Sequence, residues 1–324
     1  MTGIRRNVLT VMDSFLDACV ALDEADSGVT TDQVRQVLAN VAPNMQVLGD
    51  GRLSYWDLFV LWHSVAMALP IGGGGRNAAH SGPIFLPWHR HFMILLEQWM
   101  QIVLDDDDFG LPYWDWAADG DLPASEQRNT PLWGTNGIGN TSGSVTAGPC
   151  GRMRVRLMQS PISENTITIV DRPLRRSVGE ETIPQFQVLP NRAAVRVAME
   201  QDSYDTAPWD ADTRSHRGIL EGWEPSTPDR VVDLHNLVHV WIGGDMGPAT
   251  SPNDPVFFLN HCNVDRIWEA WMVQNGRNYS PSTFQGPQGH RLDSAMFTLL
   301  GDVRTPADVL DPSEWYSYDS LVVS

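Results

Sequence analysis

Apolar residues recur along this chain mostly at helical spacing, with little of the strict alternation that marks half-buried strands. From Asn7 to Leu22, the residues Val8, Val11, Met12, Phe15, Cys19 and Leu22 fall at steps of three and four, which predicts an amphipathic helix. Thr30 followed by Gln33 predicts a capping box opening a second helix through Leu38. After the turn Gly49-Asp50-Gly51, Ser54 starts a strongly apolar helix through Leu69, stopped by Pro70 and glycines 72–75. Pro87 suits a first helical turn, where its missing N–H costs nothing, so another helix is expected from Trp88 to Leu104. The stretch 119–151 is rich in Gly, Ser, Thr and Asn and is expected as surface loop. Short β-branched runs such as Thr166 to Val170 predict small strands within 152–190. Helices are expected again over Ala193–Glu200, Val231–Ile242 and Val256–Gln274, with one turn at Pro306–Leu310 in an irregular tail. No repeat or linker composition divides the chain, so the pattern predicts one mainly α domain over residues 1–324, with long loops and a few short β-strands.

Composition narrows the function. The net charge of −18, from 22 basic and 40 acidic residues, argues against nucleic acid, whose binding rests on neutralising phosphates. No apolar run reaches the roughly 18–20 residues of a membrane helix, so no membrane partner is expected. The acidic, amphipathic N-terminus lacks a signal-peptide pattern, which predicts a cytoplasmic protein unless a carrier exports it folded. Every strong base is arginine. Coding bias of a GC-rich genome explains this, as would avoidance of amines open to attack by electrophilic products. Cys19, Cys150 and Cys262 are widely spaced, so neither a disulfide framework nor a thiolate zinc site is indicated.

The chemistry lies in the histidines. His235 and His239, at i and i+4, share a helix face with Cβ atoms about 6 Å apart. His261, beyond the Pro252/Pro255 turn, can return as a third ligand. His63, His80 and His89 form a second triplet from a helix, a loop and a helix. His91 points away from His89 on a helix and is excluded, while His216 and His290, in polar sequence, are expected to be exposed. Imidazole suits copper, zinc, iron or nickel. The absence of carboxylates within either triplet favours copper and O2 over a hydrolytic di-zinc centre.

At these residues the chain resembles the tyrosinase family of type-3 copper proteins, specifically the small bacterial tyrosinases and o-aminophenol oxidases. Phe85-Leu86-Pro87-Trp88-His89-Arg90 resembles the first copper signature, and Leu234 to Trp241 with Asn253 to His261 the second. Leu111 to Trp116, Arg5-Arg6-Asn7, and Asp308 to Asp311 with Tyr316-Ser317-Tyr318 are similar to further family segments. The resemblance implies a central four-helix bundle holding a dicopper site. It implies a single catalytic domain without a C-terminal shielding domain, from whose compact bacterial pattern the segment near 23–53 departs by being longer. It also implies oxidation of phenols, catechols or o-aminophenols by O2 to o-quinones or quinone imines, and a separate, caddie-type copper-delivery partner. His63, His80 and His89 would hold one copper, and His235, His239 and His261 the other. Glu221 and Asn236 match the pair associated with a proton-accepting water, although Glu221 could instead pair with Arg217 and Asn236 could be a surface amide. Phe257 matches an aromatic against which a substrate ring can stack. Asn260 and Ala78 depart from the pattern, the first replacing a histidine common in relatives and the second excluding a thioether. A haemocyanin-like O2 carrier is the alternative of another class.

Overall fold

The computed structural model describes residues 3–324. Strand β1 (Gly3–Arg5) and a short turn capped by Asn7 lead into α1 (Met12–Glu24), which buries Phe15, Leu16, Cys19 and Leu22. After β2 (Asp26–Thr30), α2 (Thr31–Val41) opens on the expected capping box: Gln33 Oε1 accepts from Thr30 N at 2.8 Å, and Thr30 Oγ1 accepts from Gln33 N at 3.4 Å. Strands β3 (Gln46–Leu48) and β4 (Arg52–Ser54) flank the Gly49–Gly51 turn. Ser54 and Asp57 then cap α3 (Tyr55–Ala68), and α4 (Phe85–Leu104) keeps Pro87 in its first turn.

The glycine-rich stretch departs from expectation. Beyond the short helices α5 (Trp116–Gly120) and α6 (Ala124–Gln127), it buries Leu132, Trp133, Ile138, Val145 and Cys150. Trp133 packs against Trp114 and Trp241, with ring centroids 5.9 and 6.0 Å away. Its polar composition serves turns between buried anchors, and composition alone does not separate turn from surface. Strand β5 (Ser142–Ser144) pairs with β8 (Arg175–Ser177). Between them, the hairpin β6 (Arg154–Ser160) and β7 (Ser163–Pro173) is extended by β3, which runs parallel to β7.

Helix α7 (Arg192–Met199) is close to expectation, whereas α8 (His216–Glu221) was not foreseen in the polar sequence around it. Helix α9 (Leu234–Ile242) begins three residues later than the apolar pattern suggests, because Asp233 caps it and accepts from Leu234 N at 2.9 Å. Helix α10 (Val256–Asn275) is followed by the turn α11 (Pro306–Val309) and by β9 (Tyr316–Tyr318), which pairs parallel with β1.

Helices α3, α4, α9 and α10 form the central bundle, and aromatic side chains lock it. Phe92 of α4 stacks on Phe258 of α10 (5.7 Å) and meets Phe59 and Trp62 of α3 edge-on. Trp56 of α3 meets Phe258 at 5.1 Å. Beneath the bundle, Asp265 of α10 accepts from Arg90 Nε (2.6 Å), Arg5 (3.2 Å), Tyr316 Oη (2.5 Å) and Tyr318 Oη (2.6 Å). Burial opposes its charge, yet Arg90 and Arg5 hold its carboxyl below the ordinary value. This cluster clamps α4 to α10 one residue from His89. No described helix is long and apolar enough to cross a membrane.

Candidate metal centre

Four of the bundle helices and one loop converge on two groups of imidazoles. Nitrogens of His63 (α3), His80 (the 69–84 loop) and His89 (α4) lie within 4.8 Å of one another, as do those of His235, His239 (α9) and His261 (α10). The groups face each other, with His89 stacked on His261 at 4.2 Å between centroids and a 16° interplanar angle. Five of the six rings are buried, and His239 alone keeps part of its surface open.

Backbone carbonyls fix the rings. A carbonyl can only accept, so Nδ1 carries the proton wherever it faces one. His63 Nδ1 donates to Ala249 O (2.7 Å), His89 Nδ1 to Phe85 O (2.8 Å) and His239 Nδ1 to Met246 O (2.7 Å). His235 Nδ1 lies between Glu221 O (3.2 Å) and Asn236 Oδ1 (3.0 Å). In each case Nε2 is left with its lone pair. His80 is placed through its backbone, with its N–H donating to Asn77 Oδ1 at 2.7 Å.

The donor set fits a metal. Buried Nε2 atoms of His63, His89 and His239 meet no protein partner, a costly arrangement unless another group satisfies them. His235 Nε2 and His261 Nε2 face each other at 3.0 Å, close to the separation of two nitrogens bound about 2 Å from one ion. Burial holds all six imidazoles below the ordinary value, His63 at about 3 and His239 at about 4, so the rings are neutral and able to ligate at pH 7. No carboxylate belongs to either group.

Glu221 is wholly buried, and its carboxylate accepts from Ser81 N (2.6 Å), Trp223 Nε1 (3.0 Å) and Arg217 (3.1 Å). Burial raises its pKa against the opposing pull of Arg217. The ion pair with Arg217 that the i, i+4 spacing allowed is therefore formed. Glu221 also spans the centre, because Ser81 follows His80 while the Glu221 carbonyl faces His235. Asn236 is partly exposed and turned toward His235.

Phe257 lies between the triplets, 5.0 Å from His63 and 4.1 Å from His261 by ring centroid. It has no exposed surface, so it presents no free face for the substrate stacking expected of it. His216 and His290, expected at the surface, are both completely buried. His216 stacks on Trp271 at 4.6 Å and donates from Nδ1 to Ala198 O, while His290 Nδ1 faces Ile84 N. Distant segments cover them, which no local window reveals. Cys262 packs against Met93 Sδ (3.5 Å), away from the imidazoles. The carbonyls of Ala249, Met246 and Phe85 are the site atoms that sequence reasoning missed, since a backbone acceptor carries no residue signature.

An α-helical bundle with two facing, all-imidazole triplets defines a dinuclear metalloprotein. Residues 53–274 match the family model described as the common central domain of tyrosinase. The chain is 34% identical over 300 residues to a tyrosinase of Streptomyces glaucescens, covering 90% of this chain and 96% of that one. It is also 34% identical to grixazone synthase of Streptomyces griseus, over 76% of this chain and 83% of that one. A polyphenol oxidase structure from Thermothelomyces thermophila superposes with a TM-score of 0.70 at 20% identity, covering 98% and 89% of the two chains. The chain belongs to the tyrosinase family. It is a copper-dependent oxidoreductase with a dinuclear type-3 centre that oxidises small phenols.

Proposed function

We propose that His63, His80 and His89 hold one copper and His235, His239 and His261 the other, within a single catalytic domain. The observation that carries this assignment is the clustering of six neutral imidazoles at a buried site in two facing triplets, with Nε2 of His63, His89 and His239 left without a protein partner. Copper bound there supplies the redox chemistry with O2 and the Lewis acidity that acidifies a coordinated phenol. The protein's part is to hold the imidazoles, exclude water and accept a proton. Substrate reaches the centre from the His239 side, where Asn236 and Val240 of the same helix are also partly exposed.

A water held by Glu221 and Asn236 accepts the phenol proton, with Glu221 as the base behind it and Asn236 orienting the water. A carboxylate has about four lone-pair directions, of which three are occupied here, and Asn236 Nδ2 has no protein partner. Those two free positions support a shared water, which is general-base work at one remove. Phe257 packs against His63 of one triplet and His261 of the other and so supports both rings, consistent with its complete burial. A separate copper-delivery protein loads the chain in the cytoplasm or accompanies its export, a reading supported by the burial of five of the six imidazoles.

Turnover of tyrosine, a catechol and an o-aminophenol by copper-loaded protein tests the substrate range. Glu221→Gln is expected to slow monophenol hydroxylation at least ten-fold more than catechol oxidation, within the roughly 10²–10⁴-fold range of general acid–base catalysis. Equal losses on both substrates would exclude the proton-accepting role.

A further inference from the structure

The segment Met246–Ala249, between α9 and α10, holds one imidazole from each triplet. Met246 O accepts from His239 Nδ1 and Ala249 O from His63 Nδ1, each at 2.7 Å. The placement of these four residues therefore fixes His239 and His63 relative to each other. Gly247, Pro248 and Ala249 have little side chain with which to anchor themselves.

Ser64 Oγ donates to Ala249 O at 3.1 Å, and the β6–β7 hairpin holds the same residue from its amide side. Gln159 Oε1 accepts from Ala249 N at 2.7 Å, while Gln159 Nε2 donates to Glu164 O at 2.9 Å and so fixes the direction of the amide. Gln159 N lies 3.4 Å from Thr250 Oγ1, and Asn253 Nδ2 donates to Leu157 O at 2.8 Å, tying the same strand to the residues that follow. A cavity of about 440 Å³ borders Gln159, Ser64, Gly247, Pro248 and Ala249. The segment thus has room to shift outward once the amide tie is removed.

We propose that Gln159 is a positioning residue for the dinuclear centre: by gripping Ala249 it sets the spacing between the two metal sites. The proposal rests on the copper assignment above. Hydrogen-bond partners of metal-ligating histidines fix ring orientation, and their loss typically weakens metal binding about 10–100-fold. Gln159 acts one step further out, through a carbonyl that it holds in place.

The test uses the full chain loaded with Cu(II) and read by electron paramagnetic resonance. Two Cu(II) ions close enough to couple through a bridging ligand are silent, whereas uncoupled ions each give a signal. Gln159→Met, similar in length but without the amide, is expected to keep two coppers per chain, to show a large detectable signal, and to release copper to a chelator about ten-fold faster. Gln159→Glu keeps the acceptor for Ala249 N but loses the donor to Glu164 O, so it is expected to fall between wild type and Gln159→Met in both readouts. If Gln159→Met does not fold, Gln159→Asn, one methylene shorter, is expected to show the same signal in weaker form. A lowered melting temperature with unchanged coupling and unchanged copper release would overturn the proposal, as would equal impairment of the Met and Glu variants. Wild-type chain that binds fewer than two coppers would instead overturn the copper assignment itself.

Discussion

At the scale of single residues, what separates a ligand candidate from any other buried histidine is the company its free nitrogen keeps. His216 and His239 both donate from Nδ1 to a carbonyl, at 2.9 and 2.7 Å, and both have a buried, unpartnered Nε2. Only His239 has two further imidazoles within reach of one ion. His239→Ala is therefore expected to abolish oxidation and to reduce copper from two ions to about one per chain, read by metal analysis and catechol turnover. Near-normal activity at full loading would remove His239 from the site. His216→Gln should keep both coppers and lose about 1–3 kcal/mol of stability through its broken carbonyl bond and lost stacking on Trp271. The six ligand candidates were legible because histidine is chemically distinctive and the i, i+4 pair needs only local helix. The burial of His216 and His290 was not legible, because Trp271 and Ile84 reach them from far along the chain.

At the scale of elements, the helices that carry the site were readable from periodicity and caps. Ser54, Thr30 and the glycines after α9 mark their ends much as expected. Their mutual placement was not readable, since it depends on pairings between distant segments. Arg176 of β8 makes a two-pronged ion pair with Asp254, at 2.6 and 2.7 Å, and donates to Ile138 O. Both charges are fully buried, and Asp254 also receives Val256 N at the start of α10. Arg176→Met leaves Asp254 charged without its partner, so a loss of about 3–5 kcal/mol is expected in urea denaturation. A loss below about 1 kcal/mol would show that the pair does not seat α10. The Arg176–Asp254 link also explains why the glycine-rich stretch is held inward despite its polar composition.

At the scale of the whole molecule, the histidines act together on stability. Burial holds all nine below the ordinary value, including the non-ligands His91 and His216 at about 4 and His290 at about 3. In the unfolded chain each titrates near pH 6.5. Between about pH 6.5 and 4 the unfolded chain therefore binds more protons than the folded one, and stability rises with pH. The contribution is complete above about 6.5 and is lost as acid carries the pH toward the folded values. Buried carboxylates raised above their ordinary value, Asp57 to about 6 among them, act in the opposite direction but are fewer. The melting temperature of metal-free protein is expected to fall steadily from pH 7 to 4.5, and a rise would contradict this balance.

The pairing of β1 with β9 joins residues as far apart in sequence as Arg5 and Tyr318, 313 positions from each other. Arg5, Tyr316 and Tyr318 all converge on Asp265, beneath the helices that bring His89 and His261 into contact. During synthesis, the helices bearing both triplets emerge well before Tyr316 and Tyr318 leave the ribosome. Arg90 and Asp265 can join α4 to α10 before then, but the two tyrosine hydroxyls reach Asp265 only afterwards, so the cluster beneath the imidazoles is completed in two stages.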